Sequence, residues 1–169
     1  MAQKAITIFT PDTEDPHIYA EDDAQVHRAI FGGSGITDAD ERLAATIVDN
    51  NTVRLASGLY SNMGYLHVIP AGETLALTIG SGTAGVYRRD LIISEFVRGG
   101  GSVADTLEFK VLQGTEASSL NEAQRPTLVQ NDIAAGGAQR QEALYEVVIS
   151  GTTITEVNRV ADYIGSFYA

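Results

Sequence analysis

Cysteine and tryptophan are absent from the 169 residues, methionine occurs twice, histidine three times and proline four times. Without cysteine there is no disulfide, thiolate metal site or cysteine nucleophile, so the fold must stand on packing and assembly. Positive charge is also short. Eleven Lys and Arg face 22 Asp and Glu, a formal charge of -11, which opposes phosphate backbones and anionic membranes, so no nucleic-acid partner is expected. No apolar run spans a bilayer, and the opening "MAQKAITIFT" lacks the charged leader, long apolar stretch and cleavage site of a signal peptide. The expectation is a soluble chain made in the cytosol, with no membrane insertion.

What is there is β-prone. "AITIF" reads as a short first strand and "TPDTEDPH" as a loop. In "YAEDDAQVHRAIFGG" the acids at 21 to 23 suit a helix N-terminus, Val26, Ala29 and Ile30 share one face, and Gly32 is placed to stop the helix. From Leu43 onward, "LAATIV", "TVRLA", "YLHVIP", "TLALTI", "DLIISEFV" and "TLEFKVL" are short β-prone runs separated by Gly- and Asn-rich turns. The sequon Asn50, Asn51, Thr52 reads as a hairpin turn. "SSLNEAQRP" offers Ser119 and Glu122 as a capping box for a short second helix that Pro126 ends, and "NDIAAGGAQRQ" reads as a polar, flexible connection. "LYEVVISGTTITEV" predicts a closing hairpin around Ser150 and Gly151. The predicted class is mainly β, an antiparallel sandwich or barrel with one N-terminal helix and a short second helix. One domain is expected over 1–160, with a C-terminal tail over 161–169. Tyr163, Ile164, Phe167 and Tyr168 give that tail enough apolar surface to pack back on the domain or to dock in a partner.

Several patterns resemble chemistry and fall short of it. Gly80, Gly82 and Gly85 have the G-x-G-x-x-G spacing of a dinucleotide loop, but "VYRRDLIISEFV" after them reads as a strand where that loop needs a helix. Asp105 precedes the next β-like run instead of ending it. A turn is expected. His67 followed by Glu73 resembles a cupin metal motif, yet position 69 is Ile where a second imidazole is required. His17, His27 and His67 are too scattered to form a coordination shell, and Glu21, Asp22 and Asp23 read as a solvated helix start. No G-x-S-x-G elbow or S-x-x-K pair is present. No catalytic, metal or cofactor residue is expected, and the chain reads as a non-enzyme.

"AEDDAQVHRAIFG" and "GTAGVYRRDLIISEF" are the most specific parts of a longer pattern running from "AITIF" to "LYEVVISGTTITEV". Together they resemble a family of tail or baseplate structural proteins of tailed bacteriophages and prophages of Gram-positive hosts, over about residues 4 to 160. The resemblance implies a virion component of the tail tip, made in the bacterial cytoplasm, that assembles with copies of itself as a trimer or higher ring and docks to other tail proteins. It also implies an anchor for receptor-binding parts, although this chain carries no coiled coil or receptor-binding head. Candidate assembly residues are Arg88, Arg89 and Asp90, as a register-setting charge cluster, with Val26 and Ile30 on the helix. The alternative is a carbohydrate-binding β module for a host-surface saccharide, with Tyr60, Tyr65 and Tyr87 stacking on sugar.

Overall fold

A computed structural model describes residues 19–165. The helix α1 (Ala20–Phe31) begins where Asp22 accepts a hydrogen bond from the Tyr19 backbone N–H at 2.8 Å. It ends at Gly32, whose φ of 82° lets its N–H reach the Arg28 carbonyl. Eleven strands follow: β1 (Gly35–Thr37), β2 (Ala45–Asp49), β3 (Thr52–Leu55), β4 (Gly58–Asn62), β5 (Tyr65–Ile69), β6 (Leu75–Thr78), β7 (Tyr87–Val97), β8 (Thr106–Leu112), β9 (Gln139–Ser150), β10 (Thr153–Arg159) and β11 (Tyr163–Ile164). The strand expected over "AITIF", and His17, lie outside the described residues.

The strands form three sheets, ordered β11-β1-β4-β5, β10-β9-β7-β8 and β2-β3-β6. All neighbours are antiparallel except β1 and β11, which run parallel with Ile36 opposite Tyr163. The predicted mainly β, sandwich-like class is what the chain adopts. One core collects side chains from every sheet, among them Ile36 and Tyr60, Val53 and Leu77, and Ile92, Val147 and Ile149. A smaller cluster of Ala24, Tyr65, Phe96 and Ile133 lies under α1.

The helix docks by a route its apolar stripe does not suggest. Its inward side is Asp22 and Ala24, with the His27 ring 3.0 Å from the Gly64 carbonyl and Arg28 donating to the Met63 carbonyl at 3.0 Å. Met63 and Gly64 form the two-residue turn between β4 and β5, both at positive φ (50° and 91°), the backbone that such a tight hairpin requires. Val26 and Ile30 face solvent.

Two local expectations need correction. "SSLNEAQRP" makes a single turn in which the Glu122 and Ala123 N–H groups both donate to the Ser119 carbonyl. The capping box fails because Ser118 takes the Glu122 carboxylate at 3.0 Å, and Arg89 takes the Leu120 carbonyl that a longer helix would use. The short helical piece is instead a 3-10 turn at Ile133–Ala135, inside the stretch read as a flexible connection. There Asp132 caps the Ala134 and Ala135 N–H groups, Arg98 binds the Ile133 and Gly137 carbonyls, and Ile133 is buried. At the other end, the chain stays with the domain as far as Gly165, because Ala161 is buried and β11 pairs with β1. Phe167 and Tyr168 of the expected tail lie outside the described residues.

Candidate functional site

A polar cavity of about 310 Å3 lies where β1, β4, β9 and the 125–130 segment meet. A bulge builds it. Across Ile92 and Ile93 the partners on β9 jump from Tyr145 to Ala143, leaving Leu144 as an extra residue that bends the strand. The Leu144 carbonyl accepts from both Val160 and Ala161, so the chain leaving β10 folds over the bend. Asp162 then gives its carbonyl to the Ile36 N–H at 2.9 Å, which sets it beside β1.

Glu142 sits among donors: Ser34 Oγ at 3.2 Å, Arg140 Nε at 2.6 Å and Gln130 Nε2 at 3.4 Å. Arg125 enters from the long segment and bonds Glu146 through Nε; Glu146 also accepts from Arg89 Nη1 at 2.9 Å. Tyr60 is only 2% exposed and lines the cavity, and its hydroxyl makes no hydrogen bond among the described residues. Burial, reinforced by the Glu142 charge, holds that phenol well above its ordinary pKa, so it is a neutral donor at every physiological pH. A second hollow of about 270 Å3, by Asp38, Arg42 and Tyr163, offers less. Its Arg42 is already paired with Asp38 at 2.5 Å and stands over the Tyr163 ring.

The expected charge cluster is not a surface feature. Arg88 and Asp90 are 1% and 0% exposed and form a bidentate pair, Nε to Oδ1 at 2.8 Å and Nη2 to Oδ2 at 2.9 Å. Arg88 also donates to the Gly80 and Ser81 carbonyls, and Asp90 accepts from the Gly114 N–H at 2.9 Å. As assembly residues both are corrected: β alternation on β7 turns them inward, where they pin two loops to the sheet. Arg89, on the opposite face, is spent on Glu146 and the Leu120 carbonyl.

The same pair disposes of the nucleotide reading. A phosphate cradle presents N–H groups to an anion, whereas Gly80 and Ser81 aim carbonyl oxygens at an internal guanidinium. After Gly85 the chain enters β7, a strand, as expected. Gly82 is needed for space, since a Cβ there would come within 2.1 Å of the Gly151 carbonyl.

His67 stacks on Phe109 with ring centroids 3.7 Å apart. Burial pushes its pKa down to about 4, partly offset by the Glu108 charge. Glu21 pairs with Arg98 at 3.2 Å. Among the described residues, no group of His, Asp and Glu is arranged to hold a metal ion. Tyr60 and Tyr65 are buried, so neither can stack on a sugar ring; this corrects that assignment, and the cause is that both are core residues of the β4–β5 hairpin. Tyr87 is half-buried at the start of β7, with its backbone bonded to Ala117.

Arg125, Gln130, Glu142 and Asp162 were not anticipated. A signal existed for one of them, because Arg140, Glu142 and Glu146 interrupt the apolar run of β9 with charges, and a charge on a buried strand needs a partner brought from elsewhere. No family model matches the chain, and no curated protein matches it.

Proposed function

We propose that the protein is a non-enzymatic structural component that works by assembling with copies of itself and docking to neighbouring proteins. In the context its sequence resembles, this is the tail tip or baseplate of a bacteriophage or prophage virion. One observation carries the reading: α1 is held down by one side and leaves Val26 and Ile30, 40% and 46% exposed, as an apolar stripe on the other. Single exposed apolar residues are ordinary, but a stripe on a docked helix is the form a packing surface takes. The charge cluster on β7 drops out of the interface, and the helix remains.

Light scattering on a sizing column across a range of concentrations tests this. A stable trimer or larger species is expected, and Val26→Glu with Ile30→Glu should reduce it to a folded monomer. A wild-type chain that stays monomeric at every concentration overturns self-assembly.

A further inference from the structure

We infer that the cavity between β1, β4, β9 and the 125–130 segment binds a small, neutral, polyhydroxylated ligand the size of one sugar ring. This does not depend on the assembly reading, and it replaces the stacking chemistry first expected for a saccharide.

Three groups at the cavity have unused hydrogen-bonding capacity among the described residues. Tyr60 is almost wholly buried, yet its hydroxyl has no protein partner. The buried unpaired side-chain atoms among the described residues are Asn62 Oδ1 and His67 Nδ1, so the Tyr60 hydroxyl opens to the cavity, where a ligand hydroxyl can reach it. Its phenol stands among the charges of Glu142, Arg140 and Asp162, two of which line the same cavity. Asp162 is exposed and its carboxylate makes no ion pair or hydrogen bond. Arg125 commits Nε to Glu146 and leaves both Nη groups free.

A carboxylate acceptor, a guanidinium donor and a phenol that can do either are matched by adjacent hydroxyl groups, each of which donates and accepts. The charges decide against an ion. Glu142 of the lining is bonded to Arg140, and Glu146 is shared by Arg125 and Arg89, so the one cation left over is offset by Asp162 and neither a phosphate nor a cation finds an excess of opposite charge. Leu128, Ala143 and Val160 supply apolar wall for the C–H face of a ring. The volume of about 310 Å3 lies at the small end of ligand pockets.

The test is saturation-transfer NMR followed by calorimetric titration of the full chain with a neutral hexose, an N-acetylhexosamine and a deoxyhexose. Inorganic phosphate and glycine serve as probes of the charged alternatives. Saturable binding of at least one sugar is expected, weakened about tenfold or more by Tyr60→Phe and by Asp162→Ala. Tyr60→Phe removes an atom with no intramolecular bond, so its melting temperature should match or exceed that of the wild type. Three results each overturn the inference: no saturable sugar binding, sugar binding unchanged in both variants, or phosphate or glycine bound more tightly than any sugar.

Discussion

The Arg88–Asp90 pair shows how far a residue's role depends on which face of a strand it occupies. Both lie on the inward face of β7 and are removed from water, so their mutual attraction and their bonds to Gly80, Ser81 and Gly114 must offset a large desolvation cost. Removing one partner strands the other as a buried charge. Arg88→Met or Asp90→Ala should each cost about 3–5 kcal/mol in urea unfolding, and the double variant clearly less than the sum. The sequence placed these charges in a strand correctly. It left open whether they face a neighbour or the core, because a β-branched run buried on both faces hides its alternation.

His67 makes a different prediction at the same scale. Its imidazole takes up a proton near 6.5 in the unfolded chain and only near 4 when folded. The unfolded state therefore binds more protons between those values, and stability must fall as pH drops through that window. His67→Phe keeps the stack on Phe109 and should flatten the slope of melting temperature against pH from 6.5 to 4. The Glu95 carboxyl acts further down. Burial raises it, but bonds from Lys110, Gln141 and Gln139 outweigh that and hold it below its ordinary value. Its contribution is lost only as pH falls through and below the usual carboxylate range.

At the scale of elements, Gly64 joins helix to sheet. A Cβ there would lie 1.9 Å from the Ala24 carbonyl on a backbone at φ +91°. Gly64→Ala should cost roughly 2–3 kcal/mol, and hydrogen exchange should show α1 losing protection while β7 and β9 keep theirs. The helix itself was legible, since three acids at its start and Gly32 at its end bracket it to within a residue. The β2–β3 hairpin at Asn50 and Asn51 and the β9–β10 hairpin were legible too, the second with its turn one residue later than expected. Strand β4 was not. "SGLYSN" looks like a turn because Gly, Ser and Asn favour turns, yet Ser61 and Asn62 are buried polar residues. Ser61 bonds the Gly33 carbonyl at 2.8 Å, and Asn62 reaches the Ser94 and Arg140 carbonyls at 3.3 and 3.2 Å. Long-range partners turn a local turn signal into a strand.

For the whole molecule, the class could be read from spacing and composition, whereas the cavity could not. Its lining comes from residues 34, 60, 125–130, 142–143 and 160–162, which only the meeting of five chain segments brings together. The parallel pair that sets Ile36 against Tyr163 joins the first described strand to the last, so among the described residues the partner of β1 on that edge is made more than a hundred residues after it. Closing such a distant contact carries a loop entropy that local hairpins escape. The β9–β10 hairpin closes across a two-residue turn and escapes that cost, whereas the edge that carries Asp162 to the cavity does not. The cavity is therefore closed by the contact that spans the longest stretch of chain.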